Sequence, residues 1–148
     1  MLTDLIVASL DDAPAILTAQ GHANIWPTLE SRGLTPALLA SLRRVMRGEA
    51  TTLDLVNADV ELFELLSQGE GTEQGDPWLA ALPQDLVQHL ALMAETECAP
   101  VAAAWAQSDV ARRDRWPVAE LTPLLAEMSA LAAGAVAQGK GMLLWVCP

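Results

Sequence analysis

Two histidines, two cysteines and nineteen carboxylates are the groups in this 148-residue chain that could move protons, attack a carbonyl or hold a metal. His22 and His89 stand in unrelated contexts. Neither neighbours a cysteine or serine in a nucleophile arrangement, which needs a base within hydrogen-bond reach of the attacking atom. His89 falls between apolar positions of a helical stretch, which favours a structural role. Glu95, Glu97 and Cys98 offer ligand atoms, yet the paired His or Cys of a zinc site and the glycine-turned alternation of a calcium loop are both missing. Gly69, Gly71 and Gly75 superficially look like a phosphate loop. No Lys-Ser or Lys-Thr follows them, and Glu70, Glu73 and Asp76 would repel phosphate. These residues predict no enzyme, no metal and no cofactor.

Charge is the stronger signal. Between Arg47 and Arg112 there is no lysine or arginine, while twelve acids occupy the window: Glu49, Asp54, Asp59, Glu61, Glu64, Glu70, Glu73, Asp76, Asp85, Glu95, Glu97 and Asp109. Like charges on a folded surface repel, and a solvated surface normally mixes signs. A solvating face is the bland explanation; a basic partner is the sharper one. On the second reading Glu61, Glu64, Glu70, Glu73 and Asp76 form an acidic rim facing Lys or Arg on the partner. Trp78 or Trp116 is the apolar anchor, since buried aromatics carry more interface energy than rim charges. The net charge of −11 disfavours nucleic acid and an anionic membrane surface. No apolar run approaches the roughly 18 residues of a membrane span. Met1 to Asp4 lacks the positive start of a secretory signal, so a cytoplasmic location is expected, with Cys98 and Cys147 as reduced thiols.

The elements that must position these groups read as one domain over residues 1–148, α+β and predominantly helical, with a small antiparallel sheet. Leu2 to Ala8 is apolar and β-branched enough for a buried strand, and Ala13 to Ala19 reads as a short helix with Pro14 in its first turn. Gly21 to Gly33 reads as a loop pinned by Trp26. Thr35 as cap, Pro36 after it and Gly48 as stop delimit a helix whose stripe is Leu38, Leu39, Leu42, Val45 and Met46. Its last turn holds Arg43, Arg44 and Arg47, where cations suit the helix dipole. Thr51 to Leu66 fits helix or strand. Pro77 to Pro83 suits an edge strand, paired antiparallel with part of Glu61 to Leu66. Further helices are expected from Pro83, from about Pro100 to Gln107, and after Ser108. A long one follows, starting at Pro117 or at Thr122-Pro123 and ending at Gly139 and Gly141. Met142 to Val146 closes the chain as a strand. All five tryptophans sit beside apolar residues or proline, which predicts core or boundary positions.

A resemblance adds to this reading. The opening Leu2-Thr3-Asp4-Leu5-Ile6-Val7-Ala8 precedes Trp26 and then Gly33-Leu34-Thr35-Pro36. Phe63-Glu64-Leu65-Leu66, Pro77-Trp78, Leu82-Pro83 and Trp105-Ala106-Gln107-Ser108-Asp109 follow, with Gly139-Lys140-Gly141-Met142-Leu143-Leu144-Trp145 at the close. Together they resemble a broad group of small bacterial proteins, and the closing helix-Gly-Lys-strand is similar to the end of the YfbM-like family, whose internal Lys-Ala-Trp-His step is missing here. Small acidic proteins of this kind resemble the immunity partners encoded beside bacterial toxins. That resemblance implies a binding role and supplies no catalytic residues. The leading expectation is a non-enzymatic immunity-type protein that occludes the active site of a cognate toxin or other basic protein. The competing expectations are a small-molecule or metabolic enzyme domain, with His22 or His89 beside a carboxylate in a deep pocket, and an acidic mimic of nucleic acid.

Overall fold

The structure is a computed structural model that describes residues 1–68 and 76–148. Among these, seven α-helices and five strands follow one another: β1 (Leu2–Ala8), α1 (Ala13–Thr18), β2 (Thr28–Arg32), α2 (Pro36–Met46), α3 (Leu53–Asp59), β3 (Glu64–Gln68), β4 (Trp78–Ala81), α4 (Gln84–Leu92), α5 (Glu95–Ala106), α6 (Asp109–Arg113), α7 (Val118–Ala137) and β5 (Gly141–Cys147). The sheet is antiparallel in the order β2-β1-β5-β4-β3. This is the helix-dominated α+β domain that the patterning predicts.

Alternation along the strands divides the interior in two. Leu5, Val7, Ala80, Met142, Leu144 and Val146 face the main core, where α2 to α7 bring Leu38, Val56, Leu86, Trp105, Val110 and Leu121. Ile6, Ala8, Leu79 and Leu143 face the other way, under a thin cover from Ala13 and Ile16. Trp26 and Trp145 lean on that second cluster, and Trp78 and Trp116 on the first. Trp105 is fully buried and donates its indole N–H to the Leu38 carbonyl at 3.0 Å.

Local signals act where expected. The Thr35 hydroxyl accepts from the Leu38 N–H and Ser108 from Ala111, each satisfying an orphan donor of a helix start. Thr51 to Leu66 resolves as both alternatives in turn, α3 and then β3.

Four expectations need correction. The stretch read as a loop from Gly21 to Gly33 contains β2, an edge strand of mixed polarity (Thr-Leu-Glu-Ser-Arg) that apolar alternation cannot reveal. Its signal lies in its partner, since Leu29 and Glu30 pair with Leu5 and Asp4. β4 is an interior strand between β5 and β3; Pro77 and Pro83 stand just outside it and remove no ladder bond. α5 begins at Glu95 instead of near Pro100 and carries that proline inside; α7, with Pro117 as its cap and Val118 as its first residue, follows the earlier of its two expected starts and likewise carries Pro123 inside. Each proline is the sixth helical residue and forfeits one backbone bond. Burial of Cys98, Ala102 and Trp105 in α5, and of Leu121, Leu124 and Leu125 in α7, holds both helices past it. Finally, α7 is long and apolar enough, by length and composition, to cross a membrane. Its apolar stripe packs into the main core against α4, α5 and the sheet.

Candidate functional site

The acids of the window go to different ends. Arg43, in the last turn of α2, donates to Asp85 through Nε at 3.1 Å and through its terminal nitrogen at 2.6 Å. Arg44 donates to Asp59 at 2.9 Å, and Arg47 to Glu49 at 2.6 Å. The Arg43 guanidinium holds the Asp85 carboxyl below its ordinary range, and Arg47 does the same for Glu49. Asp109 accepts from the Leu53 N–H, tying α6 to the start of α3. These carboxylates are engaged within the fold.

Asp54, Glu61, Glu64, Glu95 and Glu97 are exposed with no ion-pair partner among the described residues, and of these Glu61 and Glu64 stand at the β3 end of the sheet. Glu61 lies in the turn before β3 and Glu64 at its first residue. Between and beside them Leu62 and Leu65 are 47% and 53% exposed. β3 ends the sheet, so its outer backbone edge has no strand partner among the described residues. Pleating sends alternate side chains to opposite sides. Leu65 joins Pro36, Val60, Phe63, Trp78 and Ala80 in an apolar groove of about 290 Å³. Glu64 lines a larger hollow of about 610 Å³ with Leu10, Leu62, Val136 and Lys140, the one lysine of the chain.

The expected rim is thus brought together in part. Glu61, Glu64 and Trp78 share the β3 end of the sheet. Asp76 lies just before β4 but is half-buried, and one of its carboxylate oxygens is enclosed without a hydrogen-bond partner among the described residues. Glu70 and Glu73 lie outside the described residues. Trp116 stands apart from Glu61, Glu64 and Asp76. It lines a separate cleft with Arg32, Arg113 and Arg115 on the other side of the α2 start, where Thr35 faces one groove and Pro36 the other.

The competing enzyme reading expects His22 or His89 beside a carboxylate in a deep pocket. For His22 the carboxylate is Asp4, brought to it across 18 residues by β1 and a short turn after α1, where both line a hollow of about 370 Å³ with Glu30 and Trp145. His22 is 4% exposed. Its Nδ1 lies 2.7 Å from the Asp4 carboxylate and its Nε2 2.9 Å from the Ile16 carbonyl, and the ring meets Trp145 edge-on at 4.7 Å. A carbonyl can only accept, so Nε2 carries a proton. Nδ1 then donates to the ionised carboxylate or accepts from its protonated form. In both cases each ring nitrogen is engaged, and neither is left to take a proton from a substrate. His89 is exposed on α4. The Cys98 thiol is pushed up by burial, with Glu95 adding to the effect, which is the opposite of an activated nucleophile. Among the described residues no three His, Cys, Asp or Glu side chains converge as metal ligands would.

The chain matches no family model, no curated protein and no solved structure.

Proposed function

We propose that this chain is a non-enzymatic, cytoplasmic binding protein of the immunity type, which docks a basic toxin against the β3 end of its sheet and covers the toxin's active site. The observation that carries this reading is the β3 edge itself. Two half-exposed leucines, Leu62 and Leu65, and two carboxylates without an ion-pair partner among the described residues, Glu61 and Glu64, stand in the turn that enters β3 and at the start of that open-edged strand. Natural edge strands are usually covered or carry lysine to discourage pairing. This one carries acids, which discourage acidic and neutral partners and attract basic ones.

Each part has a separate task. The carboxylates act at long range and raise the encounter rate with a cationic surface. The groove of Val60, Phe63, Leu65 and Trp78 receives an apolar side chain and slows release, since desolvated aromatic contacts dominate interface energy. The open edge of β3 offers backbone groups to an extended segment. Arg43, Arg44 and Arg47 would spoil such a surface if free; they are occupied by Glu49, Asp59 and Asp85.

The test is binding to the polypeptide encoded beside this gene, measured by surface plasmon resonance over a salt series. Glu61→Gln with Glu64→Gln should slow association about tenfold at low salt and flatten its salt dependence. Leu65→Ala with Trp78→Ala should mainly hasten dissociation. A complex indifferent to both pairs of changes would overturn this placement.

A further inference from the structure

Three helices of this chain end in the same hydrogen-bonded hook, and one of them uses the wrong residue for it. After α2, Gly48 takes φ +69° while the Glu49 N–H bonds back to the Arg44 carbonyl at 2.9 Å. After α7, Gly139 takes φ +66° and the Lys140 N–H reaches the Ala135 carbonyl at 2.9 Å. After α6, the Trp116 N–H reaches the Ala111 carbonyl at 2.8 Å, and the left-handed position is held by Arg115 at φ +60°. Glycine suits that position because it has no Cβ to crowd the backbone. Arg115 is the one non-glycine residue at positive φ among the described residues. Strain of this kind persists where a side chain is needed.

The surroundings indicate what for. Arg115 and Arg32 line a cleft of about 640 Å³ with Trp116, a size within the usual range of small-molecule sites. Neither Arg32 nor Arg115 has an ion-pair partner among the described residues, in a chain with nineteen acids whose α2 arginines are all paired. Arg113 also lines the cleft, but it is bonded to Asp114 at 3.0 Å. The Trp116 ring rests on Gly33, where a Cβ would stand 3.5 Å from the indole, and Gly33 is itself left-handed at φ +75°. Two free guanidinium groups beside a half-buried indole suit an anion attached to a flat ring. Glu120 adds a negative wall, which disfavours a highly charged ligand.

We propose that the cleft of Arg32, Arg115 and Trp116 binds a small monophosphate ester carrying a flat ring, with the guanidinium groups on the phosphate and the indole against the ring. This site is independent of the β3 edge and of the docking proposed there.

Amide and indole NMR of the full chain tests it, with AMP, ribose 5-phosphate, ATP and inorganic phosphate as separate probes. AMP should move the Gly33 amide and the Trp116 indole signals, and bind about threefold or more tighter than ribose 5-phosphate, which lacks the ring. ATP should bind more weakly than AMP. Arg32→Gln and Arg115→Asn should each weaken AMP about tenfold or more. Asparagine tolerates the left-handed backbone, so Arg115→Asn should melt no lower than the parent; Arg32→Gln, at an exposed edge position, supplies a second reading if it does. The proposal is overturned if none of the probes shifts these signals at about 10 mM. Equal affinity for AMP and ribose 5-phosphate, or AMP binding unchanged by both variants, overturns it as well.

Discussion

Single residues here illustrate how burial changes what a charged or polar group is for. His22 has the chemistry of a base, but the Ile16 carbonyl and the Asp4 carboxylate between them take both ring nitrogens. Its work is structural: it holds the turn after α1 onto β1. His22→Leu should destabilise the fold by about 3 kcal/mol, because it strands a mostly buried carboxylate. Adding Asp4→Asn should recover part of that loss, so urea titrations of the two single variants and the double variant should be non-additive. Asp85 offers a pH test. Its folded pKa lies below the ordinary value because Arg43 donates to it. The stability it contributes is therefore fully present above about pH 3.9 and is lost as pH falls through the lower folded value. Its side chain is 38% exposed, so solvent screening keeps the contribution below about 1 kcal/mol. Urea midpoints of the parent and Asp85→Asn should differ at pH 6 and draw together as pH falls through the lowered folded value, as linkage requires.

Elements obey local rules until a distant partner overrules them. Gly134 and Gly139 form a matched pair of tests, since an added Cβ would meet nothing within 4 Å at either. Gly134 lies inside α7, where alanine is better by roughly 0.5–1 kcal/mol. Gly139 is left-handed, so alanine there should cost about 1 kcal/mol by backbone strain. Thermal melts should therefore move up for Gly134→Ala and down for Gly139→Ala. Legibility followed the same division. The limits of α2 were readable because Thr35, Pro36 and Gly48 act within one turn of themselves. β2 was not readable because Thr28 to Arg32 carries no alternation of its own and is ordered by pairing with β1. Pro100 misled, and Pro123 left the start of α7 open, for a related reason: a proline registers a local cost, while the packing that outweighs it comes from other helices.

On the scale of the whole molecule, the net charge of −11 is distributed unevenly. The α2 arginines neutralise Glu49, Asp59 and Asp85. Glu61 and Glu64 remain at the β3 edge, Asp54 on α3 and Glu95 and Glu97 on α5 remain exposed without an ion-pair partner among the described residues, and Arg32 and Arg115 line a separate cleft. Self-repulsion should make the free protein melt a few degrees higher in about 0.5 M salt than at low salt, because screening weakens like-charge repulsion. The complex proposed for the β3 edge should respond with the opposite sign, losing affinity over the same series. A melting temperature that falls with added salt would mean that the internal arginine pairs outweigh the excess of acids.

What the amino-acid order determined alone was whatever is encoded within a turn of helix or a run of strand. That covers the cap and stop of α2, the apolar runs of β1 and β5, the helical stripes, and the total charge. Tertiary structure decided which charges cancel, for Arg43 meets Asp85 across 42 residues. It also decided that His22 would be spent on Asp4, that Trp116 would line a cleft with Arg32 and Arg115 away from Glu61 and Glu64, and that β3 would end the sheet. The physical reason is range. Backbone preference and periodicity act between near neighbours, whereas the state of a carboxylate, an imidazole or an indole depends on what the folded chain brings within a few ångströms of it.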